Sequence, residues 1–144
     1  MAEKIVQTAG RDQLGEFAPM FAHLNDDVLF GEVWNEEAID VKTKCIITVV
    51  SLMASGITDS SLSYHLRNAK AHGVTKEEIA AIITHATMYV GWPKGWAVFR
   101  LAKEVWNETT EAVTENRSGI HWFWREHETS EETQGGNPDQ DNQL

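Results

Sequence analysis

The sequence predicts an all-α fold. Along the central part of the chain, apolar residues recur at the spacing of a helix that is buried on one face. Residues that can cap helices, and glycines that can end them, separate these periodic stretches. No stretch alternates apolar and polar residues as a half-buried β-strand does. The expected architecture is therefore a bundle of helices without a sheet.

The first expected helices are short. They cover residues 17–24 and 27–34, where apolar residues follow a helical spacing, and they are joined by Asn25 and Asp26. A longer helix is expected after Asp40, because an Asp side chain at this position can accept a hydrogen bond from the first turn. Its end is expected at the Ser-Gly pair of residues 55–56.

The helix after Asp40 has a broad apolar face. The residues that share this face are Cys45, Ile46, Val49, Leu52 and Met53. Ile47 and Val50 extend it sideways, and a helix that is apolar over so much of its circumference is usually buried on several sides. A following helix is expected to start at Asp59 or Ser60 and to stop at Gly73.

The next helix has the clearest start in the chain. Thr75 and Glu78 fit a capping box, in which each side chain accepts a hydrogen bond from the backbone N–H of the other residue. This helix is expected to end at residues 91–93, since Pro93 disfavours a helical conformation in the residue before it. A last main helix is expected from about Pro93 to Trp106. The residues that the two helices bury are Ile79, Ile82, Ile83, Ala86, Val90, Val98, Leu101, Ala102 and Val105.

The C-terminal residues differ from the rest in composition. Residues 128–144 contain five acidic residues and no Lys or Arg, which is half of the net charge of −10, and we expect them to be disordered. Residues 1–127 are expected to form one helical domain with a core over about 30–107. The aromatic segment 121–124 (His-Trp-Phe-Trp) is expected to dock on helices of the same chain or of a neighbouring subunit.

Charge and hydropathy argue against two classes of partner. No run of Lys and Arg is present to neutralise phosphates, so nucleic acid is not an expected partner. No apolar run approaches the roughly 20 residues of a membrane helix, and the N-terminal residues mix charges where a signal peptide would be apolar. The expected location is the cytoplasm.

Three segments resemble the carboxymuconolactone decarboxylase family. They are residues 64–67 (YHLR), 73–78 (GVTKEE) and 89–93 (YVGWP). The resemblance implies the helical bundle of the alkylhydroperoxidase D-like superfamily, assembled as a homo-trimer or homo-hexamer. It also implies decarboxylation, without a cofactor, of a small carboxylated lactone such as 4-carboxymuconolactone.

The resemblance and side-chain chemistry together suggest a set of site residues. His65 is the first candidate for proton transfer, because the ordinary pKa of histidine lies close to neutral pH. His85 and Glu32 are the further catalytic candidates. The candidates for substrate binding are Arg67, Tyr89 and Trp92. The site is expected at a contact between subunits.

Two other functions are open. The sister branch of the superfamily reduces peroxides with a CxxC pair, but those positions fall on Thr58 and Ser61, and Cys45 is the only cysteine. The second of these hypotheses is a non-catalytic oligomer that binds a small molecule. Neither an HExxH motif nor paired short-spaced histidines are present, so no metal is expected, and no other cofactor is expected either.

Overall fold

A computed structural model describes residues 4–108, and these residues are almost entirely helical. The elements are α1 (Ala9–Leu14), α2 (Pro19–His23), a π-helix (Leu24–Val33), α3 (Val41–Ala54), α4 (Ser60–Ala71), α5 (Lys76–Val90) and α6 (Trp92–Asn107). No strand occurs within 4–108, so the all-α prediction is confirmed for that part of the chain. The segment 121–124 and the acidic residues 128–144 lie outside the described residues.

Short-range hydrogen bonds define the starts of α3 and α4. The side chain of Asp40 accepts the backbone N–H of Thr43 at 2.8 Å, as the sequence predicts. At α4, the side chain of Asp59 accepts the backbone N–H of Ser61 at 2.9 Å. Each bond satisfies one of the N–H groups that a helix start leaves without a partner, so both starts are set locally.

The capping box and the α5–α6 boundary are also confirmed. Thr75 Oγ1 accepts the N–H of Glu78 at 3.1 Å, and Glu78 Oε1 accepts the N–H of Thr75 at 3.2 Å. At the other end of α5, Gly91 has a φ of +112°, which an L side chain rarely adopts. α6 begins at the next residue, and Pro93 lies in its first turn. Backbone N–H groups there have no acceptor within the helix, so a proline costs no hydrogen bond.

The last four helices form the bundle. α3 packs against α4, α5 and α6, and α6 packs against α4 and α5, whereas α4 and α5 scarcely contact each other. α4 and α5 therefore lie diagonally across the bundle. The side chains that are completely buried between these helices include Val49, Met53, Leu62, Leu66, Ile83, Val98 and Val105.

The prediction of two helices joined at Asn25 and Asp26 is wrong. α2 continues without a break into the π-helix, and both residues lie inside it. The reason is a long-range contact: Asp26 is buried, and its carboxylate accepts the backbone N–H groups of Gly10 and Arg11, each at 2.9 Å. Asp26 thus caps α1, a helix that the sequence analysis did not anticipate, from 16 residues away.

The expectation that α3 is buried on several sides is only partly correct. Cys45, Val49 and Met53 are buried as predicted, but Ile47 is 49% exposed. Ile47 faces a cleft between α3 and the π-helix rather than the bundle core. Over residues 4–108, none of the helices combines the length and apolar character that crossing a membrane requires.

Candidate functional site

α4 carries the first group of candidate residues, His65 and Arg67. His65 lies in the middle of the helix and is partly buried. Burial lowers the pKa of its imidazole below the usual 6.5, because a charged ring loses hydration inside the protein. The ring is therefore mainly neutral at neutral pH, and its protonated form is a stronger acid than an exposed histidine.

Arg67 already binds a carboxylate in this chain. Its Nη2 lies 3.0 Å from Oε1 of Glu108, just after the end of α6, and its Nε lies 3.3 Å from both carboxylate oxygens. The guanidinium carbon also lies 5.4 Å from the centre of the Tyr64 ring, a cation–π distance. Arg67 is therefore oriented by two neighbours. A guanidinium can donate two parallel hydrogen bonds to a planar carboxylate, so Arg67 is suited to bind one.

The second group lies around the junction of α5 and α6. The rings of His85 and Tyr89 are 5.4 Å apart, and the Tyr89 side chain is 81% exposed. Trp92 and Trp96 are exposed as well, and they border an apolar cleft of about 250 Å³. The remaining residues that line this cleft are Thr84, Thr87, Gly95 and Phe99.

The two groups are not brought together within this chain. His65 and Arg67 lie on α4, whereas His85 and Tyr89 lie on α5, and these helices scarcely contact each other. The 250 Å³ cleft is lined by Trp92 but not by either residue of α4. The expectation of a site between subunits stays a prediction.

Glu32 lies in a third place, on the π-helix. Its side chain is exposed and lines a cleft of about 500 Å³ between the π-helix and α3. The same cleft contains Lys44, which is not among the residues that the sequence singled out. Lys44 is only 9% exposed, and its Nζ donates hydrogen bonds to the carbonyl oxygens of Trp34 (3.0 Å) and Glu36. The available signal in the sequence was a lysine directly before residues 45–50, five of which are apolar.

The surroundings of Cys45 do not support thiol chemistry. Burial, with a smaller contribution from Asp40, raises the pKa of the Cys45 thiol to about 12. Its Sγ lies 3.8 Å from Nδ1 of His72, but that nitrogen lies 2.8 Å from the carbonyl oxygen of Asn68 and so carries a proton that it donates there. The imidazole nitrogen next to the thiol therefore cannot act as its base, and a thiolate would not form at neutral pH.

Asn68 is a buried polar residue that the sequence analysis missed as a candidate. It lies one turn after His65 and is 1% exposed. Neither its side-chain oxygen nor its side-chain nitrogen has a hydrogen-bond partner among residues 4–108. A buried amide without partners lowers the free energy of unfolding by about 1–3 kcal/mol, so an amide at this position beside His65 destabilises the fold.

No group of three or more His, Cys, Asp or Glu side chains within 4–108 is arranged to hold a metal ion. The candidate residues offer imidazole, carboxylate, phenol and guanidinium groups for proton transfer and for binding an anion. Of these, the imidazole of His65 is the one with a pKa moved by burial, which makes it the strongest candidate for proton transfer.

Comparison with known proteins identifies the family of this chain. The sequence model of the carboxymuconolactone decarboxylase family matches residues 19–104. The chain is 32% identical over 97 residues to the 4-carboxymuconolactone decarboxylase of Acinetobacter baylyi, which covers 67% of this chain and 72% of that protein. It is 30% identical over 110 residues to an uncharacterized 15.0 kDa protein in the nqo9-nqo10 intergenic region of Paracoccus denitrificans, covering 76% and 73% of the two chains. This chain belongs to the carboxymuconolactone decarboxylase family.

Proposed function

We propose that the protein is a cofactor-free decarboxylase that acts on a small carboxylated lactone, with 4-carboxymuconolactone as the first substrate to test. Membership of the family and the similarity to a 4-carboxymuconolactone decarboxylase support a decarboxylase-like function. The observation that carries the proposal is the partly buried His65, whose imidazole pKa is lowered by burial.

The reaction needs a proton at carbon. When the carboxylate leaves as carbon dioxide, the electron pair of the broken C–C bond moves into the conjugated lactone. His65 in its protonated form gives a proton to the carbon that results, and the neutral ring takes another proton from water before the next turnover. The lowered pKa makes the imidazolium a better acid, while the smaller protonated fraction limits the rate at higher pH.

The other candidates complete the site across a subunit contact. In this proposal, α4 of one protomer faces the α5–α6 junction of another protomer, in a homo-trimer or homo-hexamer. The exposed rings of Tyr89, Trp92 and Trp96 support such a contact, because large aromatic side chains are enriched in interfaces. Arg67 binds the substrate carboxylate in place of Glu108, and Glu32 lies outside this arrangement, on the π-helix.

The test is turnover of 4-carboxymuconolactone by the purified full-length protein. Release of carbon dioxide and loss of ultraviolet absorbance are followed for the wild type, His65→Gln and His23→Gln. His23 is a matched control, since it is an exposed histidine on α2 that pairs with Asp27. We expect His65→Gln to lower kcat by about a hundredfold or more, with an unchanged circular dichroism spectrum, and His23→Gln to have no effect.

The pH dependence gives a second readout. Since the protonated ring is the active form, kcat/KM falls as the pH rises through the His65 pKa. In the plot of kcat/KM against pH, this falling limb lies below pH 6.5, because burial lowers the His65 pKa. The limb disappears in His65→Gln. Turnover that is insensitive to His65→Gln would refute the role of this residue, and absence of turnover at high protein concentration would refute the named substrate.

The ion pair of Arg67 favours one other function. Because its guanidinium binds the carboxylate of Glu108, the same group is suited to bind the carboxylate of a small acid that the protein does not convert. A non-catalytic binding protein would show saturable binding of 4-carboxymuconolactone by calorimetry, with no carbon dioxide released. The calorimetric and turnover measurements on one protein preparation separate the two functions.

A further inference from the structure

Lys44 is a buried ammonium group outside the proposed catalytic site. It lies in the first turn of α3 and is 9% exposed. Lysine is almost never buried to this extent unless its charge is paired, because the ammonium loses its hydration. The surroundings of Nζ therefore need to supply a compensating charge or a full set of acceptors.

The acceptors around Nζ are incomplete. The two that the described residues provide are the backbone carbonyl oxygens of Trp34, at 3.0 Å, and Glu36. An ammonium has three N–H groups, so one remains without an acceptor from residues 4–108. The ion pairs of this part of the chain do not include Lys44, so its charge has no carboxylate beside it there.

The ammonium lies in a cleft with apolar walls. The cleft has a volume of about 500 Å³, which is within the range of small-molecule sites. Its apolar side chains come from the π-helix, from α3 and from the segment that joins them, and they are Leu29, Val33, Trp34, Ile39 and Ile47. Several of them are strongly exposed for apolar residues, including Ile47 at 49% and Val33 at 54%. One buried cation among apolar walls is suited to an amphipathic anion.

We propose that this cleft binds a small molecule with an apolar body and a carboxylate, and that the carboxylate accepts the third N–H of Lys44. The contact would be a charge-assisted hydrogen bond, which is stronger than a neutral one. The apolar body would cover Ile39 and Ile47, removing their surface from water. This site is distinct from the proposed decarboxylation, because neither His65 nor Arg67 lines the cleft.

Two carboxylates at the cleft oppose an anion and so define its orientation. Glu36 is exposed, and its Oε1 accepts the backbone N–H of Ala38 at 2.9 Å. Glu32 is exposed and has no ion pair among the described residues. Water and salt screen exposed charges more than buried ones, so the attraction to Lys44 outweighs the repulsion when the ligand carboxylate points inward. Removal of the Glu32 charge should therefore strengthen binding.

The first experiment compares two probes of nearly equal shape. The full-length ¹⁵N-labelled protein is titrated at pH 7 with benzoate and, separately, with neutral benzamide, and amide chemical shifts are recorded. We expect saturable shifts for benzoate at residues of the cleft such as Ile47 and Thr48, and about tenfold weaker binding of benzamide. Equal affinity for the two probes, or no saturable shift with benzoate, would overturn the proposal.

Variants test the residues without relying on Lys44 alone, whose removal could disturb the fold. Ile47→Glu places a negative charge on the exposed wall and should weaken benzoate binding at least about fivefold. Ile57→Glu, at a similarly exposed isoleucine beyond the end of α3, is the matched control and should leave it unchanged. Glu32→Gln should tighten benzoate binding about twofold to fivefold, with Glu77→Gln on α5 as its control.

The outcomes also separate this site from the catalytic one. Benzoate binding should be unchanged in His65→Gln, because that side chain is not part of the cleft. Lys44→Met, if its amide spectrum shows a folded protein, should abolish the preference for benzoate over benzamide. A folded Lys44→Met that keeps the preference, or an Ile47→Glu that binds benzoate like the wild type, would refute the assignment whatever the decarboxylase assay shows.

Discussion

Substitution of Gly95 by alanine should loosen the packing of α5 on α6. Gly95 is buried in α6, and a methyl group there would overlap Oγ1 of Thr87 on α5 and lie 2.8 Å from its Cγ2. The Thr87 side chain cannot easily turn away, since it is buried and its hydroxyl donates to the carbonyl oxygen of Ile83 at 2.7 Å. The two helices would have to separate by a few tenths of an ångström or more.

The magnitude follows from two opposing contributions. Replacing a helical glycine by alanine normally stabilises a helix by about 1 kcal/mol. Overpacking a tight contact costs about 1–3 kcal/mol, and the overlap at Thr87 belongs at the upper end of that range. The free energy of unfolding of Gly95→Ala should therefore be lower than that of the wild type by about 2 kcal/mol.

Urea unfolding followed by circular dichroism measures this difference, and a double variant tests its cause. Thr87→Ala removes both Oγ1 and Cγ2, so it should recover at least about 1 kcal/mol in the Gly95→Ala background. Thr84→Ala is the matched control, because Thr84 is an exposed threonine on the same helix and is not among the nearest atoms to a methyl at Gly95. A stabilised Gly95→Ala, or purely additive effects with Thr87→Ala, would refute the reasoning.

Three further measurements test the site. Asn68→Leu removes a buried amide that has no hydrogen-bond partner in the described part of the chain, so the free energy of unfolding should stay unchanged or rise by about 1 kcal/mol. A decrease of more than about 1 kcal/mol in urea unfolding would show that the amide has partners. Cys45 in the native protein should react with a disulfide reagent at pH 8 about a thousandfold more slowly than a free thiol, since its pKa is about 12, and rapid labelling would contradict the burial. His65 has a folded pKa below its unfolded value of 6.5, so its contribution to stability is present above pH 6.5 and is lost as the pH falls below it. In His65→Gln this part of the pH dependence of urea unfolding should disappear, and an unchanged dependence would argue against a desolvated ring.

Local signals in the sequence were sufficient for the helices of the bundle. The caps at Asp40, Asp59 and Thr75 act within three residues of themselves, and the apolar periods of α3 to α6 repeat within one or two turns. Such interactions depend only on neighbours along the chain, so they can be predicted from the sequence without knowledge of the fold. The family motif around His65 could be recognised for the same reason, because its residues are adjacent in the sequence.

Tertiary packing decided the contacts between residues that are far apart in the sequence, which local signals do not contain. Asp26 caps α1 from 16 residues away, so its neighbours in sequence suggested a break where the chain continues as a helix. Arg67 meets Glu108 across 41 residues, and Lys44 meets the carbonyl group of Trp34 only because α3 packs beside the end of the π-helix. The sequence alone determined which residue types can do chemistry and which segments are helical, because both are properties of a few adjacent residues. Burial, charge pairing and the separation of the α4 group from the α5–α6 group depend on how whole helices pack, and only the tertiary structure decides them.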